Sequence, residues 1–238
     1  MKRALPVVVF LVIGAVCQAQ AVWFEGGARH SVEYAASING ETGFETSPVS
    51  CDISYRYAMP ELFAESGLCY SGKMLDFTTA TAYTPQFFGR LKAGPLFTYH
   101  LLSYRDVFLE QDMLAGLYFA YDDHHTFSFT GDVDFMYKWT RIYAVEQYLP
   151  YIANKSLAVK TRWNWFVLDH LDFYFGLGSY NTYDYKLFFA PVLQTGLDWR
   201  FGSGVTTGAE FTIQYIDMMT ISSYFDTFSI RFFTKWGF

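Results

Sequence analysis

Residues 227–238, TFSIRFFTKWGF, carry the pattern that decides the fold. Side chains alternate between the two faces of a β-strand, and here the two faces differ sharply. One face is almost entirely apolar and is formed by Phe228, Ile230, Phe232, Thr234, Trp236 and Phe238. The other face carries two cations, Arg231 and Lys235. This pattern predicts a strand that separates an apolar environment from a polar one.

The same alternation recurs upstream, in residues 87–100, 107–119, 127–139, 157–167, 171–178, 186–200 and 205–215. Two further strands are predicted at 23–36 and at 67–83, the second with a bulge near Met74 where the alternation changes phase. Val49 to Tyr57 also alternates, but Pro60 and the residues ELFA at 61–64 indicate a turn and a short helix. We therefore predict a long first external loop at about 37–66 and ten strands, with eight and twelve as the alternatives.

Composition identifies the environment of these strands. Aromatic residues make up 21% of the chain and charged residues 17%, against about 25% charged in ordinary soluble domains. No apolar run after residue 21 is long enough for a membrane-spanning helix, and lipid admits only helices and closed barrels as spanning structures. The sequence therefore predicts an all-β fold, a transmembrane antiparallel up-and-down β-barrel formed by residues 22–238.

The amino end predicts export. Lys2 and Arg3 precede an apolar run of about 14 residues, Ala4 to Cys17, which is shorter than a spanning helix, and AQA at 19–21 fits a signal-peptidase site. We predict a cleaved signal peptide at 1–21; the alternative, a lipoprotein signal acylated at Cys17, fits poorly with a valine before the cysteine. Without Lys2 and Arg3 the chain has 15 basic and 23 acidic residues, a net charge of −8 with no basic cluster, which argues against nucleic acid as a partner.

The last strand resembles the closing strand of bacterial outer-membrane β-barrels. In those proteins the assembly machinery reads an aromatic C-terminus with apolar residues at every second position. The positions that match this signal are Phe228, Ile230, Phe232, Trp236 and Phe238. The architecture is similar to small families such as the OmpW-like and OmpX-like proteins. The resemblance implies an outer-membrane location in a diderm bacterium, with outer-membrane lipid and the barrel-assembly machinery as partners. It also implies periplasmic short turns and external longer links, among them residues 144–155.

The polar faces of the predicted strands would line the barrel lumen. Their charged residues are Glu25, Arg29, Glu33, Arg90, Lys92, Glu110, Asp112, Asp132, Asp134, Lys138, Lys160, Arg162, Asp172, Lys186, Asp198, Arg200, Glu210, Arg231 and Lys235. Because acidic and basic residues are nearly equal in number on these faces, two interpretations fit: a closed lumen held by salt bridges, or a charged, hydrated pore. Five tryptophans are predicted to lie in the interfacial aromatic girdles, namely Trp139, Trp163, Trp165, Trp199 and Trp236. Cys51 and Cys69, the only cysteines after the signal, could form a disulfide or remain free.

No motif for catalysis, phosphate binding or a metal is present, so we predict no cofactor and no metal. Asp122-Asp123-His124-His125 is predicted to be a polar turn. The leading functional hypothesis is a narrow channel for small solutes. One alternative is a surface interaction protein whose loops at 37–66 and 144–155 contact host surface molecules. A second is a barrel enzyme, a protease or a lipid A-modifying protein, with His30 or His100 at its active site.

Overall fold

The computed structural model describes residues 29–41, 49–72, 74–104, 107–123, 126–143, 152–180, 191–201, 204–215 and 225–238. These residues form twelve long β-strands and one three-residue strand. The strands are β1 (Arg29–Glu41), β2 (Val49–Ala58), β3 (Leu62–Ser71), β4 (Met74–Tyr83), β5 (Gln86–Phe88), β6 (Leu91–Tyr104), β7 (Phe108–Asp122), β8 (Phe127–Ile142), β9 (Ile152–Leu168), β10 (Leu171–Tyr180), β11 (Pro191–Phe201), β12 (Val205–Tyr215) and β13 (Phe225–Gly237). Within these ranges no helix is long and apolar enough to cross a membrane.

The strands close into a barrel. Each long strand pairs antiparallel with its neighbours along the chain, β4 pairs directly with β6, and β13 pairs with β1. Closure gives every one of the twelve long strands described a partner on both sides, which is the condition for burying strands in lipid. We call the end that holds Arg29 and Phe238 the near end, and the opposite end the far end. At the near end, His30 and Phe238 exchange two backbone hydrogen bonds of 2.8 Å.

The outer surface is a belt of exposed apolar side chains. It includes Leu68, Phe97, Met113, Leu117, Val133, Phe135, Leu177, Leu197, Phe211, Ile230 and Phe232, all more than a third exposed. Toward the near end of the barrel the belt becomes aromatic: Trp163 stacks on Phe175, and Trp165 stacks on Phe173. Trp199 lies two residues from the near end of β11. An apolar belt that ends in an aromatic girdle is the surface expected of a barrel in lipid.

The expected strand count needs a correction: the barrel has twelve long strands where ten were predicted, and twelve was one of the alternatives. The predicted external loop at 37–66 is wrong, because β2 and β3 are regular members of the barrel joined by a short turn at Met59–Glu61. The short helix predicted at 61–64 is wrong for the same reason. Residues 67–83 form a hairpin, with Gly72 at a φ of 59° in the turn between β3 and β4.

The two cysteines are free and lie on opposite faces of the wall. In the β2–β3 register Cys51 is opposite Tyr70, and Cys69 is opposite Asp52. Cys51 is exposed on the lipid side, whereas Cys69 belongs to the inner face. A disulfide between them is therefore ruled out by the register, because it would require two side chains to cross the sheet. The signal peptide at 1–21 lies outside the described residues and stays a prediction.

Candidate functional site: the lumen wall

The inner face of the barrel is charged. Fourteen of the predicted lumen residues lie on it: Glu33, Glu110, Asp112, Asp132, Asp134, Lys138, Lys160, Arg162, Asp172, Asp198, Arg200, Glu210, Arg231 and Lys235. Lys92 is also on this face and donates to the Pro60 carbonyl at 2.7 Å. Arg90 lies in a near-end turn and donates to the Asp123 carbonyl at 2.7 Å. Glu25 and Lys186 fall outside the described residues, and of Arg29 only the backbone is described.

One cluster of charges joins the closing strands. Arg231 on β13 donates to Glu33 on β1 at 2.5 Å and to Asp52 on β2 at 2.6 Å. The guanidinium reaches both carboxylates because β13, β1 and β2 are consecutive in the sheet. A planar fork of donors suits two carboxylates better than a single ammonium would. This cluster ties the first and last strands together where the barrel closes.

A second cluster lies between β9 and β12. Tyr174 donates its hydroxyl to Glu210 at 2.7 Å, and the guanidinium of Arg162 lies 3.6 Å from the centre of the Tyr174 ring. Arg162 also lies 3.4 Å from Asp198. Tyr174 fits here because Gly196 faces it: a Cβ at Gly196 would be 2.4 Å from the tyrosine ring. The cluster therefore consists of polar groups fixed against the wall by a large side chain beside a glycine.

A third cluster lies toward the far end, between β4 and β8. His100 has Asp76 and Asp112 on its two ring nitrogens, each at 2.9 Å. Lys138 donates to Glu110 at 2.5 Å and lies 3.7 Å from Asp112. Three carboxylates and two basic side chains are thus held in one patch of wall, which we call the His100 cluster.

Charges that the sequence analysis missed complete the wall. Asp52, Arg56, Glu65 and Asp76 all face inward, and Arg56 lies 3.8 Å from Glu65. They were missed because β2 and β3 had been predicted as loop and because the β3–β4 turn had been interpreted as a bulge. Once the hairpin is recognised, the alternation of Asp52, Ser54 and Arg56 is a sufficient signal.

The ion pairs follow the wall. Each pair given above joins strands that are neighbours in the sheet or have one strand between them. In a twelve-stranded barrel the opposite wall is six strands away. Two contacts reach further: the Phe63 ring contacts Tyr118 edge-on at 5.1 Å across β4 and β6, and Arg56 on β2 interacts with Tyr118 across β3, β4 and β6. These contacts narrow the lumen without joining opposite walls.

Strand number gives the width. With strands about 4.8 Å apart and tilted by about 40°, a barrel of twelve strands has a radius of roughly 12 Å, and one of eight strands roughly 8 Å. Side chains alone fill an eight-stranded barrel. Twelve strands therefore leave an opening of about 4 Å in radius inside a similar layer of side chains. Water reaches the wall, since the side chains of Arg56 and Glu65 are 39% and 43% exposed.

The wall also contains a recess. A cavity of about 270 Å³ lies along β8 to β11, lined by Asp132, Lys160 and Arg162 and by the glycines Gly176 and Gly178. Gly176 and Gly178 on β10 have no side chains, so they leave space beside the neighbouring strand β9. The cations Lys160 and Arg162 on β9 border this space. Deeper in the β8 wall, Asp134 is almost fully buried.

The other singled-out residues lie away from the lumen charges. His30 faces outward among Tyr55, Tyr57 and Phe238. Asp123 accepts hydrogen bonds from the backbone of Thr126 and Phe127, which is a turn role, while His124 and His125 fall outside the described residues. The apolar residues of the predicted assembly signal, Phe228, Ile230, Phe232, Trp236 and Phe238, lie on β13 or directly after it, with Ile230 and Phe232 exposed.

Comparison with known proteins identifies the fold. No protein-family model matches the chain, and no curated protein matches its sequence. The KdgM porin in complex with disordered oligogalacturonate superposes with a TM-score of 0.59 at 11% identity, covering 87% of this chain and 99% of that one. The NanC porin gives 0.56 at 11%, covering 86% and 98%. The COG4313 outer membrane channel from Pseudomonas putida F1 gives 0.54 at 10%, covering 92% and 98%.

These likenesses are to structures with little sequence identity, so they show the fold. Together with the apolar belt, they identify the chain as an integral β-barrel of the bacterial outer membrane.

Proposed function

We propose that the protein is a narrow channel that passes small hydrophilic solutes across the outer membrane. The observation that carries this proposal is the arrangement of the ion pairs among the described residues, which join strands along the wall of a twelve-stranded barrel and do not reach its opposite side. A lumen closed by salt bridges would need pairs between opposite strands. The names of the similar structures, porins and an outer membrane channel, support the same function.

The width and the lining define the solute class. An opening of about 4 Å in radius admits molecules of the size of a single sugar or amino acid and excludes folded protein. Carboxylates, guanidinium groups and hydroxyls cover the wall, so polar and charged solutes find hydrogen-bonding partners there. The predicted resemblance to OmpW-like and OmpX-like proteins gains no support from the barrel, whose twelve long strands exceed the eight to ten expected for them.

The enzyme hypothesis gains no support from the described histidines. His30 contacts aromatic rings on the outer side, and His100 is held between two carboxylates inside the wall. Of the loops that the interaction hypothesis names, most of 37–66 is strand, and 144–151 lies outside the described residues, so that hypothesis stays a prediction.

A conductance experiment tests the proposal. The mature chain is refolded in detergent, checked for heat-modifiable mobility and inserted in a planar bilayer. Reproducible current steps are expected, and Glu65→Lys should shift the reversal potential in a salt gradient toward anions. Asp169→Lys makes the same charge change in an exposed near-end turn and serves as the control, with a smaller shift expected. A folded barrel without current, or equal shifts in both variants, would refute a pathway along this wall.

A further inference from the structure

The His100 cluster has the ligand set of a metal site. One nitrogen of His100 and one carboxylate oxygen each of Glu110 and Asp112 lie within 4.8 Å of one another. Three ligands at that spacing can converge on one cation by small side-chain rotations. A nitrogen with two carboxylate oxygens suits a first-row transition cation such as Zn²⁺ or Co²⁺ better than Mg²⁺ or Ca²⁺, which prefer oxygen alone.

A carboxylate outside the proposed ligand set contacts the second ring nitrogen of His100 and fixes the orientation of the ring. Nε2 lies 2.9 Å from Asp76 on β4, while Nδ1 lies 2.9 Å from Asp112. Metal-binding histidines commonly donate their other N–H to a carboxylate, which fixes the tautomer and directs the first nitrogen to the metal. Here the cation would replace the contact between Nδ1 and Asp112. Asp76 would therefore orient the ring without binding the metal itself.

Asp112 supplies an independent sign of a missing partner. Its side chain is only 7% exposed, and its buried Oδ1 atom has no hydrogen-bond partner among the residues that the structure describes. A buried carboxylate oxygen normally accepts at least one hydrogen bond or binds a cation. Its other oxygen faces His100 and Lys138, so a cation placed among these groups would lie beside this carboxylate.

Lys138 already places a positive charge beside two of the three candidate metal ligands. Its ammonium group contacts Glu110 at 2.5 Å and Asp112 at 3.7 Å. Even with both basic side chains charged, the three carboxylates Asp76, Glu110 and Asp112 leave the cluster with an excess negative charge. A divalent cation bound to a neutral His100 would remove that excess, and Lys138 would compete with it for the same oxygens.

We propose that His100, Glu110 and Asp112 bind one transition-metal cation of the Zn²⁺ class in the lumen wall, with Asp76 as the positioning residue and Lys138 as a competing cation. No metal site was predicted from the sequence, because Glu110 and Asp112 on β7 meet His100 on β6 only through the pairing of the two strands. Access is from the lumen, on which His100 and Asp76 are partly exposed.

The test measures metal binding directly. The refolded mature barrel, carrying His124→Ala and His125→Ala to remove an adjacent histidine pair, is titrated with Co²⁺ and followed by visible absorption, then competed with Zn²⁺. One Co²⁺ per barrel is expected, displaced by Zn²⁺. His100→Ala should abolish this binding, and Asp76→Asn should weaken it by about 10- to 100-fold. His170→Ala, in an exposed turn, is the matched control and should bind like the parent.

A variant expected to bind metal more tightly distinguishes an effect on the site from misfolding of the barrel. Lys138→Met removes the competing cation and should tighten Co²⁺ binding by about tenfold, whereas damage to the barrel would weaken it. Each variant is first shown to keep heat-modifiable mobility. Absence of binding at millimolar metal, unchanged binding in folded His100→Ala, or weaker binding in folded Lys138→Met would each overturn the site. None of these readouts requires the barrel to conduct, so the channel proposal is tested separately.

Discussion

Replacing Phe232 with arginine tests which face of β13 meets lipid. Phe232 is 55% exposed on the outer surface, four residues from the girdle position Trp236. At a rise of about 3.4 Å per residue and a tilt of about 40°, this places it roughly 10 Å inside the interface, close to the midplane of an apolar belt about 25 Å tall. Arginine at that depth costs about 2–4 kcal/mol, a factor of roughly 30 to 900 in the folding equilibrium.

Two control variants test the depth of Phe232 in the membrane and the face of the strand on which it lies. Phe201→Arg changes an equally lipid-facing residue, 50% exposed, at the near end of β11, where the cost should fall to about 0–1 kcal/mol. Lys235→Arg keeps a cation on the inner face and should be neutral. Each variant is folded into lipid vesicles and titrated with urea, with tryptophan fluorescence giving the free energy of unfolding. Equal losses for Phe232→Arg and Phe201→Arg, or none for Phe232→Arg, would refute the assigned face and depth.

Three further predictions concern the wall. Arg231→Met should lower the free energy of unfolding by about 1–3 kcal/mol, as measured in urea titrations. This is less than the roughly 3–5 kcal/mol expected in a dry interior, because lumen water hydrates the carboxylates of Glu33 and Asp52 that are left behind. Changing both carboxylates to amides in the same variant should restore the free energy of unfolding. Gly116→Ala should destabilise by about 1–3 kcal/mol, since its Cβ would meet a backbone oxygen at 2.1 Å, whereas Gly67→Ala, with its nearest atom at 3.6 Å, should be neutral or stabilising. In vesicles, a charged thiol reagent should modify Cys69 from the lumen and spare Cys51; the reverse order would contradict the β2–β3 register.

The sequence predicts the C-terminal two thirds of the barrel well because both faces of each strand are constrained. One face contacts lipid and the other contacts water, so alternation is strong, and the predicted strand at 205–215 coincides with β12. The prediction fails in the first third, where the constraint is weaker. Strand β3 places Ala64 and Ser66 on its outer face, so the apolar side of the pattern is diluted there.

The error at 67–83 has a specific geometric cause. Inward positions are odd-numbered up to Ser71 and even-numbered from Met74 onward. A bulge shifts the phase of alternation by one residue, and so does a hairpin turn of two residues. The sequence pattern is the same in both cases. Only the pairing of Ser71 with Met74, and the left-handed conformation of Gly72, distinguishes a turn from a bulge.

The site was harder to predict than the fold because its contacts are set by register. Alternation predicts that Arg231 and Glu33 face inward, but the partner on β2, Asp52, follows only from the pairing of consecutive strands around the closure. The His100 cluster is a stronger example, since its members come from four strands. A face can be inferred from one strand alone, whereas a contact requires the register between strands.

The β2–β3 hairpin links the width of the lumen to the charge of its wall. Without it, a ten-stranded barrel would have a radius of roughly 10 Å in place of roughly 12 Å, close to the limit that side chains alone can fill. The same hairpin contributes Asp52, Arg56 and Glu65, so it supplies a second carboxylate to Arg231 while it widens the barrel. In a narrower barrel the charges of opposite walls would come within reach of one another and close the lumen. In the wider one the ion pairs of the described residues form along the wall, between strands that are neighbours or next but one. Strand number therefore favours the open interpretation that the proposed function uses, whereas the sequence alone left both interpretations in place.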